Sequence, residues 1–219
     1  MARFIHIISI LLILSGCTAH QKFTPLFDGR SFDGWEVKAG PEDIWHIEDG
    51  VIVCEGGGHM DGWLGTKRVY RNFILSCEWK IAGNGNSGVF LRVGSDPEQK
   101  PAYDAIEIQV CDDDGSSYTG LTPSELSGGI YAVAGPLKKM YNGTEQWNRY
   151  VISCIGPKIT VEYNGELVVD VDARNYHKPF MWFNRMRRPL MERPREGYIA
   201  LQTHGSKVWF RNIGIQEIK

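Results

Sequence analysis

Seven polar side chains lie on strand-like segments of the sequence, each opposite the apolar residues of its own segment. Successive side chains of a β-strand point to opposite faces, so these seven would face away from the core. The set combines two carboxylates, two amides and three groups that carry or can carry positive charge: Glu78, Glu107, Gln109, Gln202, Lys80, Arg92 and His204. A solvated face usually carries lysines and scattered acids, so this mixture predicts the floor of a cleft.

Two kinds of chemistry fit these side chains. Two carboxylates in one cleft can have pKa values driven apart, and Glu78 and Glu107 would then serve as acid and base. Alternatively, Glu107 and His204, with Glu78 as a further ligand, would bind a divalent metal ion, since carboxylate and imidazole groups suit such ions. No organic cofactor is expected, because the glycine run 56–58 precedes no predicted helix and therefore forms no phosphate cradle.

The segments that carry these residues are predicted to be short strands joined by turns. The central pair, Phe73–Ile81 and Ser87–Val93, flanks a turn rich in glycine and asparagine, which predicts two neighbouring strands of one sheet. The cleft-side residues of this pair would then share one surface. Another alternating pair flanks Asn164-Gly165, the dipeptide most typical of a type I′ hairpin turn.

The fold class is predicted to be all-β, a jelly-roll sandwich of two antiparallel sheets. No segment shows a sustained helical period, and short strands recur at roughly 8–12-residue spacing with turn signals between them. Cys77 has apolar parity and is predicted to be a buried free thiol, although four cysteines of an exported chain allow three pairings. The predicted core contains Phe73, Leu75, Trp79, Val89, Leu91, Ile106, Ile108 and Leu201.

One segment, His177–Glu196, interrupts the strand pattern and carries five arginines together with Trp182 and Phe183. It is predicted to be a long loop or flap rather than an arm that binds nucleic acid, because the net charge of the chain is −2. No nucleic-acid partner is expected for the same reason.

The amino terminus predicts export. Arg3 precedes an apolar run, and Leu14-Ser15-Gly16-Cys17 is similar to a bacterial lipobox, in which the cysteine becomes the lipidated first residue. The chain thus divides into a lipoprotein signal peptide with its lipobox (1–17), a tether (18–25) and a single domain (26–219). The expected location is extracytoplasmic, anchored by lipid to a bacterial membrane, most simply the outer membrane. An ordinary secretory signal is the alternative.

A series of short motifs runs in a fixed order along nearly the whole mature chain. The motifs are Phe27-Asp28-Gly29, Asp33-Gly34-Trp35, Trp45-His46-Ile47-Glu48-Asp49-Gly50, Glu78-Trp79-Lys80, Asn86-Ser87-Gly88-Val89-Phe90-Leu91-Arg92, Glu107-Ile108-Gln109, Trp147-Asn148, Asn164-Gly165, Leu201-Gln202, His204-Gly205 and Phe210-Arg211-Asn212-Ile213. Taken together, they resemble the 3-keto-disaccharide hydrolase domain family. Two departures are Thr203, where members often carry aspartate, and the unusual length of the arginine-rich segment.

The resemblance implies a concanavalin-like jelly roll, export, and cleavage of glycosides already oxidised at C3, by hydrolysis or elimination, with a divalent metal in some members. A ketone at C3 acidifies the C2 proton, so such a reaction needs a base, a group that stabilises the enolate and an acid. Glu107 or His204 would be the base, Arg92, Lys80 or a metal would hold the enolate, and Glu78 would be the acid. Substrate binding is assigned to Lys80, Gln109, Gln202, Tyr131, Trp63 and Trp182.

Two other classes of protein use the same fold. A lectin-like binding module would hold a carbohydrate without turning it over, and it would be expected to present aromatic platforms. Only Phe90 has the parity for such a platform on the strands, while Trp63 and Trp182 would supply stacking from flanking loops. A scaffolding lipoprotein would give no reason for glutamate, glutamine and histidine on one face.

Overall fold

The computed structural model describes residues 22–58, 60, 62–94, 104–182 and 185–219, without the side chains of residues 118, 180–182 and 185. The predicted signal peptide and Cys17 lie outside these ranges. No helix in the described part of the chain is long and apolar enough to cross a membrane. The strands are β1 (Thr24–Pro25), β2 (Trp35–Ala39), β3 (Trp45–Glu48), β4 (Val51–Cys54), β5 (Gly62–Thr66), β6 (Phe73–Ile81), β7 (Asn86–Val93), β8 (Ile106–Cys111), β9 (Asn148–Ile155), β10 (Lys158–Tyr163), β11 (Glu166–Asp172), β12 (Phe180–Trp182), β13 (Arg185–Arg187), β14 (Tyr198–Thr203) and β15 (Val208–Glu217).

Two antiparallel sheets form a β-sandwich, which confirms the predicted all-β jelly roll. The large sheet has eight strands in the order β11-β10-β9-β6-β15-β4-β3, with β1 paired to β15. The small sheet has five strands in the order β2-β5-β14-β7-β8. Strands β12 and β13 form a separate two-stranded hairpin within the arginine-rich segment. The described residues also form four short 3₁₀ helices at Ser116–Tyr118, Pro123–Glu125, Ala173–Asn175 and Leu190–Glu192.

The core lies between the inner faces of the two sheets. All eight residues predicted for it belong to one buried apolar cluster. Cys77 is buried there as a free cysteine, as predicted, and burial raises the pKa of its thiol to about 12. The other described cysteines, at positions 54, 111 and 154, are also free and buried.

The hairpin at Asn164-Gly165 forms as its sequence predicts. Strands β10 and β11 pair on either side of it, and the two turn residues have φ values of 50° and 88°. A type I′ turn requires positive φ at both central positions, which asparagine and glycine tolerate best.

The prediction that Phe73–Ile81 and Ser87–Val93 are neighbours in one sheet is wrong. Strand β6 lies in the large sheet between β9 and β15, whereas β7 lies in the small sheet between β14 and β8. The turn between them therefore carries the chain from one sheet to the other. Alternation fixes which face of a strand is apolar but not the sheet to which the strand belongs, and both arrangements bury the same side chains.

Glu78 and Lys80 consequently lie on the outer face of the large sheet, not with Glu107. Glu78 Oε2 accepts a hydrogen bond of 2.8 Å from Arg211 Nε on the neighbouring strand β15. Lys80 Nζ lies 4.4 Å from the ring centroid of Trp209. Both residues thus contact side chains of the neighbouring strand on the solvent side of the sandwich. The prediction that they lie in the cleft is therefore wrong.

Arg92 is also displaced from the predicted face, because β7 contains a bulge. Leu91 and Arg92 together oppose Ile199, and Arg92 has a φ of 54°. An extra residue in one strand interrupts the alternation of side chains. The guanidinium of Arg92 is fully buried and donates to the carbonyls of Arg71, Cys154 and Gly156 at 2.6 to 3.1 Å.

Candidate functional site

The outer face of the small sheet carries the remaining predicted residues. Cross-strand pairing sets Gln202 opposite Trp63, Ala200 opposite Phe90, Phe90 opposite Glu107, and Gly88 opposite Gln109. Paired residues of adjacent strands share a face, so three predicted polar residues lie on one surface: Glu107, Gln109 and Gln202. Trp63 lies on strand β5 of this same face rather than in a flanking loop, which corrects the predicted location.

Gly88 lies where two of these side chains meet. A Cβ at this position would be 2.9 Å from Glu107 Oε1 and 3.1 Å from Gln202 Oε1. Any side chain there would therefore collide with both groups. The absence of a side chain at residue 88 lets a carboxyl and an amide from different strands approach the same point.

Glu107 is a buried acid in this surface, with only 5% of its area exposed. Burial raises the pKa of its carboxyl to about 7, while the positive charges of Arg187 and Arg193 lower it by smaller amounts. A carboxyl with a pKa near neutrality changes its charge readily at physiological pH, which is what a general base or acid requires.

The arginine-rich segment covers this face of the small sheet. Arg187, at the end of β13, and Arg193, after the 3₁₀ helix Leu190–Glu192, are only 2% and 3% exposed. Arg193 Nη1 donates to the carbonyl of Ala105 at 3.0 Å, and Arg188 pairs with Asp104 at 3.2 Å. Both contacts fasten the described end of the segment to the start of β8, and the segment contains the short hairpin β12–β13 where a long loop or flap is predicted.

Arg187 and Arg193 are residues that sequence reasoning did not assign to the site. Their segment was recognised as an unusual run of arginines, but no alternation or motif distinguishes these two from their neighbours. Only the fold identifies these two arginines as site residues, because it shows that Glu107 is buried. A buried acid needs positive charge nearby in order to ionise.

Tyr131 and Gln109, two of the residues predicted to bind substrate, lie beside Glu107. The backbone amide of Tyr131 donates to the carbonyl of Glu107 at 2.9 Å, and the Arg187 guanidinium lies 5.5 Å from the Tyr131 ring centroid. The side chain of Gln109 is 3% exposed, and its Oε1 accepts a hydrogen bond from the amide of Val110 at 3.2 Å.

His204 lies two residues beyond Gln202, just past the end of β14. Its Nδ1 is 3.2 Å from the carbonyl oxygen of Met60. A carbonyl can only accept, so this contact places a proton on Nδ1. Trp182 ends β12, and its side chain lies outside the described part of the structure.

The metal site predicted from Glu107 and His204 does not fit these surroundings. Among the described residues, no group of three or more His, Cys, Asp or Glu side chains could hold a metal ion. The charged groups that act on Glu107 are two arginines, and positive charge beside a ligand opposes the binding of a cation.

The chain shares its architecture with carbohydrate-active proteins. A "Putative glycosyl hydrolase" from Parabacteroides distasonis is 29% identical, with a TM-score of 0.78, covering 90% of this chain and 100% of that one. The carbohydrate-binding module CBM66 from Bacillus subtilis is 14% identical, with a TM-score of 0.52 over 84% of this chain and 96% of the module. At that identity the module shows a common fold alone.

Sequence comparison gives the family. A protein from Bacteroides thetaiotaomicron named "3-keto-disaccharide hydrolase" is 28% identical over 233 aligned positions, which cover 89% of this chain and 78% of that protein. The family model described as "3-keto-alpha-glucoside-1,2-lyase-like domain" matches residues 22–216. The match spans almost the whole described chain, including both sheets and the surface around Glu107. The chain therefore belongs to the family of 3-keto-alpha-glucoside-1,2-lyase-like domains.

Proposed function

We propose that the protein cleaves glycosides whose sugar is already oxidised to a ketone at C3, with Glu107 as the general base. The observation that carries the proposal is the buried carboxyl of Glu107, whose pKa of about 7 is unusual for a glutamate. The names of the relatives in the family point to the same class of substrate. Similarity to a putative glycosyl hydrolase also supports the cleavage of a glycosidic bond.

The reaction follows from the acidity of a C–H bond beside a ketone. Glu107 takes the C2 proton, the C2–H electron pair forms a C2=C3 bond, and the electron pair of the C3 carbonyl moves to its oxygen. When C3=O forms again, the C1–C2 bond becomes double and the C1–O bond to the aglycone breaks. The leaving oxygen takes up a proton, and water added across C1=C2 completes a net hydrolysis.

The surroundings of Glu107 suit a sugar ring. Gln109 and Gln202 offer amide groups on either side of Gly88, and sugars are recognised through hydroxyl groups that donate and accept hydrogen bonds. Trp63 lies opposite Gln202 on the neighbouring strand, and Tyr131 lies beside Glu107, so aromatic residues are present on this face as well. Because Glu107 lies beneath the arginine-rich segment, the reacting carbon would be shielded from bulk water, which strengthens electrostatic interactions.

Turnover of a 3-keto-glucoside and of its unoxidised parent tests the proposal. Wild-type protein should cleave only the oxidised sugar, and kcat/KM should rise with pH through about 7, since the base must be ionised. Glu107→Gln keeps the volume but removes the base, so kcat/KM should fall roughly 10²-fold or more.

Glu78→Gln is the matched control, since Glu78 pairs with Arg211 on the outer face of the other sheet. It should keep wild-type turnover. Equal turnover of the unoxidised parent, or wild-type rates for Glu107→Gln, would contradict the proposal. A lectin-like module would instead lose sugar affinity in Glu107→Gln and would have no turnover to lose.

We further propose that the chain is exported and lipidated at Cys17, so that the domain is anchored to a bacterial membrane outside the cytoplasm. The proposal rests on Arg3, the apolar run that follows and the lipobox-like tetrad Leu14-Ser15-Gly16-Cys17. Globomycin should block processing of the wild-type precursor, and Cys17→Ala should leave the membrane fraction. If Cys17→Ala remains with the membrane, the anchor is not a lipid on this cysteine.

A further inference from the structure

The guanidinium of Arg193 is fixed at two of its three nitrogens. Nη1 donates to the carbonyl of Ala105 at 3.0 Å, and Nε donates to the carbonyl of Arg188 at 3.3 Å. Nη2 is buried and has no hydrogen-bond partner among the described atoms. A planar guanidinium held by two carbonyls has one direction left for Nη2, so this donor is oriented before any ligand binds.

The position of Arg193 relates it to the proposed base. Ala105 precedes Glu107 by two residues and lies with Phe90 in a small apolar cluster separate from the main core. The ion pair of Arg188 with Asp104 holds the same stretch of chain at the same place. The contact with Ala105 holds the Arg193 guanidinium near the start of β8, close enough for its charge to act on the Glu107 carboxyl.

A complementary group lies on another strand. Gln202 is 7% exposed, and its Oε1 is also buried without a hydrogen-bond partner among the described atoms. This oxygen and Glu107 Oε1 approach the same point above Gly88. Buried polar atoms are nearly always hydrogen-bonded in proteins, so this donor and this acceptor require partners from outside the chain, and hydroxyl and carbonyl groups of a bound sugar can supply both.

We infer that Arg193 is the oxyanion-binding residue of this site, donating from Nη2 to the C3 oxygen of the substrate, while Gln202 Oε1 accepts from a hydroxyl of the same sugar. The inference rests on the proposed function and assigns the enolate-stabilising role that Arg92 and Lys80 cannot fill. As Glu107 takes the C2 proton, the electron pair of the C3 carbonyl moves to its oxygen. A donor already aimed at that oxygen stabilises the developing charge without reorganising.

The test compares Arg193→Met and Arg193→Lys with the control Arg195→Met. Arg195 is on the same segment, but its guanidinium contacts the carbonyls of Gly156 and Met191 instead. Two rates are measured: cleavage of a 3-keto-glucoside with a good leaving group, and exchange of the C2 hydrogen with deuterated solvent in the methyl 3-keto-glucoside. Exchange reports formation of the enolate separately from departure of the aglycone.

Arg193→Met should lower both rates about 10²- to 10³-fold, the usual effect of losing one such donor. Added guanidinium chloride should restore part of each rate, and Arg195→Met should stay within about 3-fold of wild type. If Arg193→Met does not fold, Arg193→Lys, which keeps the charge and the aliphatic stem, should lower both rates by at least 10-fold.

Three results would count against the assignment, and they can be told apart. Rates near wild type in a folded Arg193→Met or Arg193→Lys protein overturn it. A loss of cleavage with unchanged C2 exchange overturns it as well, because Arg193 would then act on the leaving group. If wild-type protein shows neither cleavage nor exchange, the proposed function itself falls, and this assignment falls with it.

Discussion

At the scale of single residues, the proposed reaction depends on the charge of Glu107. Burial favours the neutral acid, and the guanidinium groups of Arg187 and Arg193 oppose this effect only in part. The balance puts the pKa of the carboxyl at about 7, so both charge states are accessible near neutral pH. A base of this strength matches a C–H bond that a ketone has acidified, whereas an exposed glutamate would be too weak.

The same balance predicts a pH-dependent cost to stability. Between the ordinary pKa of 4.5 and about 7, the folded protein holds a proton on Glu107 that the unfolded chain has released. The free energy of unfolding attributable to this group therefore falls as pH rises through that window. Glu107→Gln removes the titration, so its stability relative to wild type should improve by about 2–3 kcal/mol between pH 4.5 and pH 8.

Urea unfolding of both proteins at several pH values measures this difference. The wild-type and Glu107→Gln curves of unfolding free energy against pH should diverge above pH 4.5 and run parallel above pH 8. Parallel curves over the whole range would mean that Glu107 has an ordinary pKa in the folded protein, and the proposed base would lose its physical basis.

At the scale of strands, alternation predicted faces well and neighbours poorly. The apolar parity of residues such as Trp79 and Leu201 placed them in the core, and the polar parity of Glu107, Gln109 and Gln202 placed them on one outer face. The prediction that Glu78 lies in the cleft was wrong because parity carries no information about which sheet a strand joins. That choice is made by pairing between strands far apart in sequence, which a single chain of residues does not reveal.

The prediction that Arg92 lies on the cleft face was wrong for a different reason, the bulge in β7, and this position leads to a testable prediction about stability. The bulge at residue 92 turns its guanidinium towards the carbonyls of Arg71, Cys154 and Gly156, where it links the small sheet to β9 and to the chain beside it in the large sheet. Arg92→Met would remove this donor from the carbonyls of Arg71 and Cys154, whereas Gly156 keeps a contact from Arg195 at 3.4 Å, and each unpaired buried group costs about 1–3 kcal/mol. We expect a total loss of roughly 3–5 kcal/mol in unfolding free energy.

Activity separates this structural role from the catalytic role that the sequence predicted. In Arg92→Met, kcat of the folded fraction should remain within about 3-fold of wild type at a temperature well below the midpoint of unfolding. A 10²-fold loss of kcat in a protein of wild-type stability would instead assign Arg92 to the site and contradict the bulge geometry. Arg92→Lys should lie between the two proteins in stability, because lysine cannot serve three carbonyls from a planar fork.

At the scale of the whole molecule, the outer faces of the two sheets differ in the side chains that they carry. The outer face of the large sheet presents charged and aromatic cross-strand partners such as Glu78 with Arg211 and Lys80 with Trp209. The outer face of the small sheet instead carries the buried side chains of Glu107, Gln109 and Gln202, near Arg187 and Arg193 of the arginine-rich segment. Because the residues around Glu107 lie on an outer face, the packing that holds the two sheets together must come from the core between them.

Trp79 offers the clearest measure of that core. It is fully buried in the large sheet, with ring centroids of Tyr150 and Tyr163 at 5.3 and 6.0 Å. Trp79→Ala should therefore lower the unfolding free energy by about 3–5 kcal/mol, the usual cost of truncating a large buried aromatic residue. Trp209→Ala, on the opposite face of the neighbouring strand, removes a half-buried ring that contacts Lys80 and should cost only about 1 kcal/mol. Equal losses for the two variants would mean that the strands present the wrong faces to the core, and the buried surface around Glu107 would lose its structural support.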